Sequence, residues 1–144
     1  MRIDGLWHLC DDGILRPVIH GEILAGDGSW VKAPLLVDSG ADRTVFSADV
    51  MEALHLQPID SPDRLSGVGG AAASVVVDTQ LRLTHDQAGK AIFKGQFAGF
   101  TEVEALDMSV VGRDILNLFA LIIDRQGDTI CFLGQDHYYT IGKR

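Results

Sequence analysis

Apolar and polar positions alternate along this chain in short runs that glycine-rich turns interrupt. RPVIHGEIL (16–24) gives way to AGDGS (25–29), and WVKAPLLV (30–37) follows. That pattern predicts a β-hairpin with Gly-Asp-Gly at its tip. SADVMEALHL (47–56) has another period: Val50, Met51, Leu54 and Leu56 fall roughly at helical spacing. Ser47 is placed to cap that helix, Asp49 suits its first turn, and Pro58 and Pro62 end it.

Strand-like patterning then returns. LSGVGGAAASVVV (65–77) puts a glycine-rich tip before a β-branched run, DTQLRLTH (78–85) alternates, DQAGK (86–90) turns, and AIFKGQFAGF (91–100) resumes. In LDMSVVGRDILNLFALIID (106–124) an apolar strand ends at Gly112 and RDILNLFAL (113–121) reads as a short helix. A last hairpin spans 121–133. The whole predicts one mainly-β domain, 1–144, with two short helices, an N-terminal extension at 1–13 and a tail at 134–144.

Composition narrows the function. The 144 residues can bury one core, and the chain is 47% hydrophobic with a net charge of −8. Lys and Arg form no cluster, so no nucleic-acid partner is expected. The first residues, MRIDGLWHLCDDG, carry charges and do not read as a secretory signal, and no stretch has the apolar length of a membrane helix. Cys10 and Cys131 lie far apart, which fits reduced thiols and a cytoplasmic setting. His8, His20, His55, His85 and His137 lack metal-ligand spacing, so neither a metal nor another cofactor is expected.

The chemistry of interest lies in LLVDSGADRTVF (35–46), where an apolar strand stops on Asp38-Ser39-Gly40. Read alone, the tripeptide fits a surface turn, since Asp and Ser bond to nearby backbone and Gly admits positive φ. It equally fits an acid–base residue at the floor of a cleft. Two later landmarks bear on the choice: Gly67-Val68-Gly69-Gly70, and VVGRDIL at 110–116.

The ordered series D-S-G-A-D-R-T-V (38–45), G-V-G-G (67–70) and V-V-G-R-D-I-L (110–116) resembles the retropepsin-like aspartic proteases. With Arg16-Pro17-Val18 upstream, the resemblance covers roughly 14–120. The helix at 47–56 is closer to the cellular and bacterial members than to the retroviral ones. The resemblance implies a closed, barrel-like acid-protease fold, active as a two-fold dimer. It makes Asp38 the catalytic carboxylate, with Ser39 and Gly40 shaping its loop. Ala41 and Asp42 would contact the substrate main chain, and Gly67, Val68, Gly69 and Gly70 would form a flap. Arg113, Asp114 and Arg16 would give structural support, Arg113 by pairing with Asp42 and Arg16 by reaching the partner subunit's Asp42.

The reaction needs two carboxylates that share one proton. The chain offers one D-S-G, since Asp11-Asp12-Gly13 lacks the hydroxyl and Asp27-Gly28 is a hairpin tip. The second carboxylate must then come from a second copy. The implied function is aspartic endopeptidase, a homodimer acting on peptide or protein. The rival reading is a catalytically silent, protease-like module for peptide binding or dimerisation.

Overall fold

The computed structural model describes residues 1–59, 64–67, 70–134 and 140–142; for 64–67 and 70–73 the backbone alone is described. The strands are β1 (Arg2–Asp4), β2 (Leu6–Leu9), β3 (Leu15–Leu24), β4 (Trp30–Val37), β5 (Val45–Phe46), β6 (Arg64–Gly67), β7 (Gly70–Thr84), β8 (Lys90–Phe100), β9 (Ser109–Val111), β10 (Ala120–Asp124) and β11 (Thr129–Leu133). Two helices, α1 (Ala48–Leu54) and α2 (Arg113–Leu116), and a 3-10 turn at Val103–Ala105 complete it.

Eight strands hydrogen-bond in the order β2-β3-β4-β9-β5-β8-β7-β6, and β3 also pairs with β7. That extra pairing closes β3, β4, β9, β5, β8 and β7 into a six-stranded ring. Closure removes the open edges that a flat sheet of this size would expose. Gly21 permits it: the residue pairs with Ala33 on one side and Leu83 on the other. A Cβ there would lie 2.8 Å from a Leu35 methyl and 2.9 Å from one of Leu81. Leucine side chains of the core fill the space over Gly21, so a larger residue there would have to push them aside.

Alternation along the strands fills the ring. Ile19 and Ile23 of β3, Leu35 and Val37 of β4, Leu81 and Leu83 of β7 and Val111 of β9 are buried together. Phe46 and Phe97 stack at 5.3 Å between ring centres. Helix α1 buries Leu54 against this core and ends at His55, whose φ of 48° is left-handed. Ser47 precedes α1 as expected but makes no capping bond with its side chain. Its backbone N–H instead donates to the Ser109 hydroxyl at 2.9 Å, which ties α1 to β9.

The structure differs from the sequence pattern at three places. The segment 1–13 contributes two strands: β1 joins β11, and β2 joins β3. Three and four residues are too few for alternation to register. Residues 70–84 form one continuous strand, because the whole length from Ser74 to Thr84 finds partners on β8. Helix α2 is one turn rather than nine residues, since Ala120 onward is drawn into pairing with β11. The amphipathic pattern at 117–121 is real, but strand pairing overrides it. Of the tail, 135–139 and 143–144 lie outside the described residues. Among the described residues no helix is long and apolar enough to cross a membrane.

Candidate active site

Asp38 is half-buried where β4 ends, and Ser39 and Gly40 after it are exposed. Strands β4 and β9 run parallel with Val37 beside Val111, and the Asp38 N–H extends that ladder to the Val111 carbonyl at 3.2 Å. The chain then turns back on itself. Asp38 Oδ1 accepts the Gly40 N–H at 2.9 Å, and the Asp38 carbonyl accepts the Ala41 N–H at 3.2 Å. The local Asx-type turn and the carboxylate at the strand end therefore coexist.

Helix α2 braces the loop from behind. The Arg113 N–H donates to the Ala41 carbonyl at 2.8 Å, and the Asp114 N–H donates to the Asp42 carbonyl at 3.2 Å. Loop carbonyls thus satisfy N–H groups that the first turn of a helix leaves without partners. The Arg113 guanidinium donates to the Ser39 carbonyl at 3.1 Å and pairs with the Asp42 carboxylate. Ile115 and Leu116, both buried, anchor the turn in the core.

Gly112 makes the close approach possible. A Cβ there would lie 2.5 Å from the Arg43 carbonyl carbon and oxygen and 2.9 Å from the Ala41 oxygen. Backbone, not a flexible side chain, blocks the space.

Thr44 is the residue that sequence reasoning missed. It is fully buried, and its N–H donates to both Asp114 oxygens, at 3.0 and 2.9 Å. Its hydroxyl donates to Asp114 Oδ1 at 2.7 Å and accepts the Gly112 N–H at 3.2 Å. The signal was available in the alternation, since Thr44 stands two before the buried Phe46 and so shares its inward face. A hydroxyl on a buried face needs a partner.

The other sequence candidates fall as follows. Asp38, Ser39, Gly40, Ala41, Asp42, Arg113 and Asp114 come together in this one cluster. Arg113 and Asp42 are not buried, their side chains being 44% and 80% exposed. With α2 reduced to one turn, the helix dipole gives Arg113 little reason to be where it is, and its two loop contacts supply the reason instead. Arg16 is engaged within its own chain: it grips Asp12 with two bonds of 2.9 and 2.7 Å. That pairing holds the Asp12 carboxyl down to about 2, chiefly through the Arg16 hydrogen bond. Gly67 pairs with Gly70 at the end of the β6–β7 hairpin, while Val68 and Gly69 lie outside the described residues. Among the described residues no group of three His, Cys, Asp or Glu is arranged to hold a metal ion.

Comparison with known proteins gives this loop a context. A family model described as aspartyl protease matches residues 21–115. A sequence search of curated proteins finds no match. Among solved structures, a retropepsin-like aspartic protease from Rickettsia conorii is similar with a TM-score of 0.56 at 18% identity, over 92% of this chain and 90% of that one. EIAV protease complexed with the inhibitor HBY-793 is similar with a TM-score of 0.53 at 21% identity, over 71% of this chain and 86% of that one. At such identities the two structures speak for the fold. With the family match spanning the loop, the hairpin and α2, the chain belongs to the aspartyl protease family and has the retropepsin-like fold.

Proposed function

We propose that the chain is an aspartic endopeptidase assembled from two copies, with an Asp38 from each. The observation that carries this reading is a single carboxylate, half-buried at a strand end, on an exposed loop fixed by β9 and α2. A side chain held so firmly beside an open surface suits a role shared with a neighbouring molecule. One D-S-G per chain makes two chains the smallest unit with two such carboxylates.

Two carboxylates held close together cannot both ionise readily, so the pair keeps one proton. The ionised member takes a proton from water, whose oxygen attacks the peptide carbonyl carbon. The protonated member gives its proton to the carbonyl oxygen. Breakdown of the resulting gem-diol re-forms the C=O, breaks the C–N bond and delivers a proton to the amine. Ser39 and Gly40 shape the loop, and Ala41 and Asp42 offer contacts to the substrate main chain. The β6–β7 hairpin, whose pairing ends at Gly67 and Gly70, serves as the lid.

The test is Asp38→Asn, which keeps size and removes acid–base function. The variant should keep its fold and lose cleavage of a peptide library. Wild-type specific activity should fall as the protein is diluted, as a site made by two chains requires. Cleavage by Asp38→Asn at the wild-type rate would overturn the assignment.

A further inference from the structure

The chain holds 20 Asp and Glu against 12 Lys and Arg, so a guanidinium readily finds a carboxylate. Arg2 pairs with Asp4, Arg16 with Asp12, Arg82 with Glu22 and Arg113 with Asp42. Arg125 lies 5.5 Å over the Trp7 ring. Arg43 differs from all of these. It is exposed, and its guanidinium has neither a carboxylate nor a ring to rest on among the described residues. Its neighbours in sequence are both committed to α2: Asp42 pairs with Arg113, and the Thr44 hydroxyl donates to Asp114 at 2.7 Å. The Arg43 carbonyl itself packs against Gly112. The backbone of Arg43 is thus fixed on the loop that carries Asp38, while its charge is left open to solvent.

A guanidinium is a planar fork of donors that matches a carboxylate with two parallel bonds. We infer that Arg43 reads an acidic side chain, Asp or Glu, of the substrate peptide. The charge of the chain gives that cation its value. A protein of net charge −8 repels acidic peptides, so a preference for them needs a positive group placed beside the reacting one. Position bounds where the acid lies. The five residues from Asp38 to Arg43 span at most about 17 Å. An extended peptide advances about 3.3 Å per residue, so the residue read lies within about five positions of the bond that is cut. With two chains each brings its own Arg43, and the preference then falls on both sides of that bond. The inference rests on Asp38 as the reacting group and adds a class of substrate.

The experiment scores the full chain on a synthetic peptide library in which Glu, Gln or Lys is exchanged at each position in turn. The wild-type chain should cut the best Glu peptide with a kcat/KM roughly tenfold above that of its Gln twin, as a charge-assisted pair requires. Arg43→Gln should erase that difference, Arg43→Lys should restore part of it, and Arg43→Glu should turn the preference toward Lys. Lys32→Gln removes the same charge from an exposed site on β4 and should keep the wild-type preference. Binding of the same peptides to Asp38→Asn, followed by fluorescence anisotropy, reads the preference without turnover. Equal handling of Glu and Gln peptides by the wild-type chain, or a Glu preference that survives Arg43→Gln, would overturn the role of Arg43 and leave Asp38 standing. Glu-selective binding that needs Arg43, in a chain that cuts none of the peptides, would keep the recognition and overturn the endopeptidase. A chain that neither cuts nor binds any of them would overturn both.

Discussion

Asp114 receives three hydrogen bonds from Thr44, two from its backbone N–H and one from its hydroxyl, across a separation of 70 residues. The carboxylate beside the helix turn thus fixes the strand that leaves the Asp38 loop. Replacing Thr44 by valine keeps the volume and removes the hydroxyl. The Gly112 N–H loses its acceptor and Asp114 loses a donor. Thr44→Val should cost about 1–3 kcal/mol in urea unfolding. Thr44→Ser, which retains the hydroxyl, should recover most of it.

Arg113 should behave in the opposite way. Its ion pair with Asp42 lies in solvent, where such pairs contribute about 0–1 kcal/mol. Arg113→Ala should therefore leave the unfolding midpoint of the chain nearly unchanged. The guanidinium also holds the Ser39 carbonyl beside Asp38. Loss of that hold should lower kcat/KM for peptide cleavage by roughly tenfold or more, because small displacements of a reacting group are costly. A large loss of stability with unchanged turnover would show that the pairing acts on the fold instead.

Gly112→Ala tests the close approach behind the loop. Its Cβ would press on the Arg43 and Ala41 carbonyls, and neither can rotate away as a side chain would. Overpacking of this kind costs about 1–3 kcal/mol. Gly142→Ala, where an added Cβ meets nothing within 4 Å, is the control and should leave the melting temperature unchanged.

Acid stability follows from Glu22. Arg82 grips both of its oxygens at 3.2 and 3.1 Å, Lys90 adds a bond of 2.9 Å, and Arg82 lies 3.8 Å over the Trp30 ring. The Arg82 hydrogen bonds first, and Lys90 second, lower the carboxyl from an ordinary 4.5 to about 2. A depressed carboxyl stabilises the folded chain fully above its unfolded value. That contribution disappears as pH falls through the folded value. Between pH 4.5 and 2 the chain should lose about 1 kcal/mol from this group, since water near the surface screens the network. Glu22→Gln should remove that part of the slope when unfolding is followed against pH.

The sequence disclosed the parts that depend on local chemistry. The hairpin of β3 and β4 was legible because Gly-Asp-Gly separates two long apolar runs. The landmarks at 38–45 and 110–116 were legible because, in order with 67–70, they resemble the motifs of a known family; Asp38-Ser39-Gly40 alone also fits a surface turn. What escaped notice depends on partners distant in sequence. Strand β1 exists because β11 is there to receive it, and nothing in Arg2-Ile3-Asp4 says so. The helix pattern after Leu116 yielded to a strand for the same reason. Thr44 was passed over because its partners, Asp114 and Gly112, lie about seventy positions on.

The same separations set an order in time. Asp38 leaves the ribosome early, whereas β9 and α2, which shape its loop, follow some seventy residues later. At roughly 5–20 residues per second that interval lasts several seconds. Ring closure between residues 21–23 and 81–83 must also wait for distant chain to arrive. A growing polypeptide therefore carries the aspartate without the scaffold that makes it useful. On the two-chain reading of the site, a nascent chain whose synthesis has not yet passed α2 has no completed loop to bring to a partner.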